Sequence, residues 1–280
     1  MKIFSYKFLN LPLLHKFNAL EILEGKKFIS LDLGISKEEV EIDKNSVRIR
    51  SFEVPLEEIK KIAEDKRNNI FALTHEKPLK LLFFEENVYK LRLVKPDTAP
   101  TLEINGIHMH RIKNTTPWED SLEKVKVLDA RGKRVLDICT GLGYTAILSG
   151  KLGAREIITI EKDENVLKVA EFNPWSKGLE KIKIINEDAF SVLDRFEEKS
   201  FDRILLDPPR ESLARELYSR TFYSKLKKVL TKKGKLFHYV GKVGIKKKRK
   251  FWIEIKKRLR DSKFSSVKFE KKALGLIAEK

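Results

Sequence analysis

The chain has 280 residues, close to two domains at a usual domain size of about 150, and its 41% hydrophobic content is enough for a buried core, so disorder is not the default state. Lys and Arg number 59 against 41 Asp and Glu, a formal net charge of +18 that favours anionic partners. The single cysteine, Cys139, excludes a disulfide scaffold and a cysteine-rich metal site, and no run of about 18 uncharged apolar residues is present to cross a bilayer. The opening MKIFSYKFLNLPLLHKF carries Lys2, Lys7 and Lys16 among its apolar residues and has no small-residue cleavage site, so it does not read as a signal peptide. The expectation is a cytoplasmic protein. Abundant Lys and Glu with little Cys and Met is also a thermophile composition, which supplies part of the charge without any binding role.

In chain order, the stretch from Lys26 to His110 reads as short strands: KKFISLDLG, EEVEID, VRIR, LKLLFFEE, VYKLRLV and TLEINGIHMH. One helix, PLEEIKKIAEDKR, opens at Pro55 and places Ile59 and Ile62 on one face. Asn105-Gly106 predicts a two-residue hairpin turn, because both central positions need positive φ. RIKNTTPWED breaks the pattern, and a helix begins in WEDSLEKVKVLDA. From there strands alternate with helix-length segments: KRVLDI, REIITIE, KIKIINED, DRILLD and GKLFHYV, then a basic helix KKRKFWIEIKKRLRD and the strands SSVKFEK and ALGLIAEK. This rhythm implies a mostly parallel sheet of seven strands covered on both faces. The expected division is a β-rich domain over residues 1–112 and an α/β domain over 113–280.

Four strand ends carry the chemistry. VLDICTGLGYTA joins a strand ending at Asp137 to a helix through a turn holding Thr140, Gly141 and Gly143, where the backbone turns tightly and a ligand can approach without a Cβ in the way. ITIEKDENVL ends a second strand at Glu161, placed to accept two ribose hydroxyls; a helix N-terminal charge is the structural alternative. KIKIINED ends at Asp188, followed by Ala189 and Phe190. LLDPPR puts Asp207 before a rigid wall of Pro208 and Pro209, and then Arg210, at the carboxyl edge of the sheet.

This series resembles class I S-adenosylmethionine-dependent methyltransferases with a Rossmann-like fold. Their motif I has three glycines, and Cys139, Gly141 and Gly143 occupy those positions, so the first glycine is replaced. The resemblance implies S-adenosylmethionine as cofactor, with Asp137, Thr140, Gly141 and Gly143 at the loop, Glu161 on the ribose, Asp188 on the adenine amino group and Phe190 covering the ring. A nucleophilic role for Cys139 is the less favoured reading of a packed turn residue. Asp-Pro-Pro-Arg matches the uracil C5 methyltransferases, but these need a cysteine after the next strand, where this chain has FHYVGKVG. What is left is in-line transfer to a nitrogen or oxygen. Asp207 is then the acceptor-binding or general-base candidate, and Arg210, which cannot act as a base, holds an anionic substrate group.

LEINGIHMHRIKNTTPWEDSLEKVKVL and ELYSRTFYSKLKKVLTKKGKLF are similar to aminopropyltransferases, the spermidine synthase family, which place an N-terminal β-domain before the same Rossmann-like domain. The alternative function is therefore aminopropyl transfer from decarboxylated S-adenosylmethionine to a polyamine-type amine, against which the basic charge counts. As a whole the chain resembles uncharacterised methyltransferases of archaea and thermophiles that combine both sets of features. His110, Trp118, Pro208 and Tyr239 are the candidate acceptor-binding residues, with His108, Glu119 and His238 in the same expected region. No metal site is expected, since His108 and His110 lack a third ligand. The basic run Lys242–Lys263 could follow an RNA backbone, or could simply be the solvated side of an amphipathic helix that buries Phe251, Trp252 and Ile255. The reading is a methyltransferase acting on RNA or another anionic acceptor.

Overall fold

A computed structural model of the chain describes residues 1–241 and 251–280; the KKKRK run of the basic segment lies outside the described residues. The chain forms two compact units. The first comprises Met1–Tyr6, Glu119–Leu167 and Gly178–Lys280, and the second Lys7–Trp118 and Lys168–Lys177. This differs from the single cut expected between residues 112 and 113. Ile3–Phe4 pair with a strand of the first unit, and the 168–177 segment carries Trp175, whose indole N–H donates to Leu33 O at 3.0 Å in the second.

The first unit is built on one eight-stranded sheet. Its strands are β1 (Ile3–Phe4), β2 (Arg134–Ile138), β3 (Glu156–Ile160), β4 (Lys183–Ile185), β5 (Phe201–Leu206), β6 (Leu230–Tyr239), β7 (Ser266–Glu270) and β8 (Gly275–Glu279), in the spatial order β1-β4-β3-β2-β5-β6-β8-β7. The five central strands are parallel, while β1, β7 and β8 run antiparallel to their neighbours. All seven strands read from residues 134–279 are present, and β1 adds an eighth. Strands covered on both faces need continuous apolar runs, and β5 supplies one, with Ile204, Leu205 and Leu206 fully buried.

The helices are α1 (Pro117–Leu128), α2 (Tyr144–Lys151), α3 (Glu164–Ala170), α4 (Ala189–Val192), α5 (Arg220–Val229) and α6 (Phe251–Asp261). Helix α5 begins where Ser219 Oγ accepts the Phe222 N–H at 3.1 Å, and buries Phe222, Tyr223, Leu226 and Val229 at three- and four-residue spacing. Ile255 and Leu259 bring α6 into the same core as Ile204, Leu206 and Phe222. Each such fully buried side chain contributes roughly 1.5–3 kcal/mol. Phe251 lies against Tyr218 and Trp252 against Phe269, so both aromatics serve the packing of α6.

The second unit is a set of small antiparallel sheets with two helices, Lys16–Leu23 and Leu56–Ala63. Its four-stranded sheet ends in the predicted hairpin, with Asn105 and Gly106 at φ of 48° and 78°. The Lys16–Leu23 helix was not expected. His15 caps it: Nδ1 accepts the Phe17 and Asn18 N–H groups at 3.2 and 3.4 Å, and Asn18 Oδ1 accepts the His15 N–H at 2.8 Å. Among the described residues no helix is long and apolar enough to cross a membrane.

Candidate active site

Because β4, β3, β2 and β5 are parallel neighbours, their carboxyl ends lie along one edge of the sheet. Residues following all four converge there. After β2 the chain makes two consecutive hydrogen bonds across to β3, from the Cys139 and Thr140 N–H groups to Ile160 O at 2.9 and 3.1 Å. Cys139, Gly141 and Gly143 all have left-handed backbone, with φ of 70°, 54° and 77°. The cysteine therefore occupies a glycine conformation as well as a glycine position of the motif. Burial foremost, and then Glu161 and its neighbouring carboxylates, push the Cys139 thiol well above its usual range, so no thiolate is at hand for nucleophilic attack.

The two glycines differ. A Cβ on Gly143 would lie 2.6 Å from the Leu179 side chain, whereas a Cβ on Gly141 would meet nothing within 4 Å. Gly143 is required by packing, and Gly141 leaves a clear approach to the backbone.

Asp137 and Thr140 do not present their side chains to that approach. Asp137 is fully buried, and its two oxygens accept the Thr145 and Thr159 hydroxyls, each at 2.7 Å; Thr140 Oγ1 lies 2.6 Å from Thr159 Oγ1. Burial pushes the Asp137 carboxyl up to about 7 despite these bonds. This network fixes the loop from below. Thr159, in the middle of an apolar strand, was the one visible signal that something polar was buried beside Asp137.

Glu161, just past β3, accepts the Gly141 N–H at Oε2 (3.0 Å) and the Asp163 N–H at Oε1 (3.1 Å). Each carboxylate oxygen has two lone pairs, so even with the Lys162 N–H also bearing on the group, spare acceptor capacity remains beside the open glycine. Burial raises the Glu161 carboxyl, and the Gly141, Asp163 and Lys162 N–H groups oppose that rise. Asp188 caps α4 by accepting the Phe190 N–H at 2.8 Å, and its other oxygen is 3.2 Å from Lys162 Nζ. The Phe190 ring stacks on Phe222 at 6.0 Å, and Lys225 Nζ lies 4.0 Å from its centroid.

At β5 the site gains residues that the sequence did not point to. Lys124, on α1, is 2% exposed, with Nζ 2.6 Å from Asp207 Oδ2, 3.0 Å from Asp120 Oδ2 and 3.9 Å from the centre of the Tyr239 ring. Burial disfavours the ammonium, but Asp207 and Asp120 outweigh it and hold Lys124 firmly charged. Burial also raises Asp207, and Lys124 counteracts that rise. Asp207 is anchored through one oxygen, leaving Oδ1 for another donor. Pro208 is buried, Pro209 O accepts the Tyr218 hydroxyl at 2.7 Å, and Arg210 is exposed.

Other expected residues have the following partners. His238 is fully buried in the core, with Nε2 3.2 Å from the Tyr223 hydroxyl. His110 and Trp118 belong to the second unit, where His110 Nδ1 is 3.1 Å from Thr101 Oγ1 and Trp118 packs edge-on against Trp175 at 5.1 Å. His108 pairs with Glu103 at 3.0 Å. Among the described residues no cluster of His, Cys, Asp or Glu is arranged to hold a metal.

A parallel sheet with an open glycine turn, then acidic residues at three successive strand ends, defines a nucleotide-cofactor transferase of the class I methyltransferase type. The chain belongs to the methyltransferase small domain family, whose family model matches residues 122–263. It is 43% identical over 94% of its length, and 93% of the relative, to the uncharacterized protein MJ1233 of Methanocaldococcus jannaschii. Shorter matches reach a release factor glutamine methyltransferase of Thermodesulfovibrio yellowstonii (31% identity, 37% of each chain) and a ribosomal RNA large subunit methyltransferase I of Aeromonas hydrophila (34%, 28% of this chain and 21% of that one). In fold it is similar to the spermidine synthase of Thermotoga maritima, with a TM-score of 0.54 at 17% identity over 73% of this chain and 75% of that one.

The protein is an S-adenosylmethionine-dependent methyltransferase. The residues present suit that cofactor: an unobstructed glycine, the spare acceptor positions of Glu161, and a carboxylate with an aromatic ring after β4.

Proposed function

We propose that the chain methylates a nitrogen or oxygen of an RNA acceptor, with the 113–280 region carrying the chemistry. The observation that carries the reading is the buried Lys124–Asp207 pair at the end of β5. S-adenosylmethionine supplies an electrophilic methyl carbon, so the protein has to position the acceptor in line and receive its proton. Asp207 Oδ1 accepts the N–H or O–H of the acceptor while Lys124 holds Oδ2, fixing the carboxylate and opposing the upward push of burial on it. As the acceptor's lone pair displaced the sulfonium sulfur, which would leave as a neutral thioether, Asp207 would receive the acceptor's proton.

Gly141 admits the cofactor to the loop, Glu161 accepts the ribose hydroxyls, and Asp188 and Phe190 hold the adenine. Asp137, Thr140 and Gly143 act by fixing the loop. Pro208 and Tyr239 wall the acceptor side, and Arg210 receives an acceptor phosphate.

The charge of +18 supports an RNA acceptor over a polyamine, as does the ribosomal RNA methyltransferase among the relatives. The test is calorimetric titration with S-adenosylmethionine and its decarboxylated form in parallel, followed by methyl incorporation into RNA. Preference for the intact cofactor and label in RNA are expected. Preference for the decarboxylated form moves the reading to aminopropyl transfer, and label in protein but not in RNA overturns the acceptor.

A further inference from the structure

The four-stranded sheet of the second unit has two unlike faces. In its pairing, Leu82 faces Lys90, Phe84 faces Val88, Lys90 faces Glu103 and Arg92 faces Thr101. Side chains alternate along a strand, so Leu82, Phe84, Lys90, Arg92 and Glu103 share one face while Tyr89, Leu91 and Leu102 share the other. The latter three are buried. The former face opens into a cleft of about 400 Å³ lined by Lys66, Arg67, Lys80, Lys90, Arg92 and Glu103.

Five cations thus face one carboxylate, and one of its oxygens, Oε2, is already engaged. Glu103 accepts from Arg92 at 2.8 Å and pairs with His108 at 3.0 Å. Lys90 is only 9% exposed, and among the described residues its one hydrogen-bond partner is a neutral group, Arg67 O, at 3.1 Å. Among the described residues, none of Lys66, Arg67, Lys80 or Lys90 has a carboxylate within ion-pairing distance. Burial lowers the Lys90 ammonium's tendency to hold its proton, Glu103 and Asp65 only partly offset this, and the neighbouring Arg92 and Lys80 add to the excess of positive charge. Beyond the cleft, on the same strand face as Leu82, Phe84 is 71% exposed, a large ring left in water. Clustered cations with an adjacent exposed aromatic suit one kind of ligand, a flexible strand of phosphates carrying stackable bases.

We propose that this cleft binds single-stranded RNA, with a backbone phosphate received by Lys90 and the surrounding Lys66, Arg67 and Lys80, and a neighbouring base stacked on Phe84. The inference deepens the RNA-acceptor reading and rests on it for its biological purpose. Its test does not depend on catalysis.

The probe is a fluorescently labelled short oligouridylate, titrated into the full chain by anisotropy at several salt concentrations. The exposed-residue variant Lys66→Gln/Arg67→Gln/Lys80→Gln avoids disturbing the core, and should bind at least about tenfold more weakly. Its log–log salt slope should be smaller by about 2, near 0.7 for each phosphate no longer neutralised. Phe84→Ala should weaken binding by about tenfold with the slope retained. Wild-type affinity and slope in the triple variant would overturn the proposal, as would failure of the oligouridylate to bind the wild type, or binding of a phosphoserine peptide that it cannot displace. Cleft-dependent binding without methylation of any RNA would remove the acceptor reading alone. RNA methylation that the triple variant leaves intact, together with unchanged binding, would remove the cleft alone.

Discussion

Lys124 and Asp207, 83 positions apart in the chain, meet at 2.6 Å with the lysine almost wholly out of water. Removing one member of a buried pair leaves the other charge uncompensated. Lys124→Met should therefore cost about 3–5 kcal/mol, since both Asp207 and Asp120 lose their counter-ion. Denaturant midpoints with unchanged slope will measure it. A loss of less than about 1 kcal/mol would mean that the pair is solvated and does not hold the carboxylate.

Asp207→Asn keeps the shape of the side chain and removes its capacity to take a proton. Transfer should fall by about 10²–10⁴ while the calorimetric affinity for S-adenosylmethionine stays at the wild-type level. Unchanged turnover would eliminate Asp207 as proton acceptor, and loss of cofactor binding would move it to the cofactor side of the site.

The two loop glycines should separate binding from folding. Gly141→Ala imposes left-handed backbone on alanine, a cost of roughly 1–2 kcal/mol, but clashes with nothing, so the protein should fold and lose cofactor affinity. Gly143→Ala adds a contact at 2.6 Å with Leu179 and should lower the melting temperature considerably more. Thermal melts with and without S-adenosylmethionine distinguish the two; equal destabilisation with equal ligand response would refute the assignment.

Asp137 and His15 should give stability opposite dependences on pH. Burial raises Asp137 to about 7 from an ordinary value near 3.8, so the folded state holds its proton longer than the unfolded chain. Its contribution is most favourable below about 4 and is lost as pH climbs to about 7, a swing of about 4 kcal/mol. His15 is lowered to about 4 by burial, outweighing Glu21, so its neutral ring favours folding above about 6.5, and that contribution is lost as pH falls to about 4. Asp137→Asn should flatten the loss on the alkaline side of this window. His15→Ala should flatten the loss on the acid side and cost about 1 kcal/mol through the missing cap. Denaturation measured across the window checks both, and parallel curves for wild type and variants would contradict the assigned burial.

The central sheet was legible because a buried parallel strand is an uninterrupted apolar run that ends at a chemically marked turn, as RVLDI does at Cys139 and FDRILL does at Asp207. The helix at Lys16–Leu23 was not, since histidine is an uncommon cap and its partner Asn18 is informative only once the two are seen to exchange bonds. Ile3–Phe4 is too short to signal a strand and pairs with residues some 180 positions on. At the site, residue types at strand ends pointed to Glu161, Asp188 and Asp207. Lys124 was invisible, because a lysine on a charged helix reads as a solvated one until tertiary packing buries it. Asp137 was legible as a position, yet its bonds to Thr145 and Thr159 turn it from a ligand-facing group into a support.

The chain passes between its two units four times, after Tyr6, Trp118, Leu167 and Lys177. Neither unit is therefore a continuous piece of polypeptide, and no single truncation can release one intact. Excising residues 7–118 would strip that unit of the Trp175 segment and leave the other with an internal gap to bridge. A protease nick at any one crossing leaves the remaining crossings still linking the two units covalently. Insertions that exchange one unit between relatives would have to respect all four crossings at once.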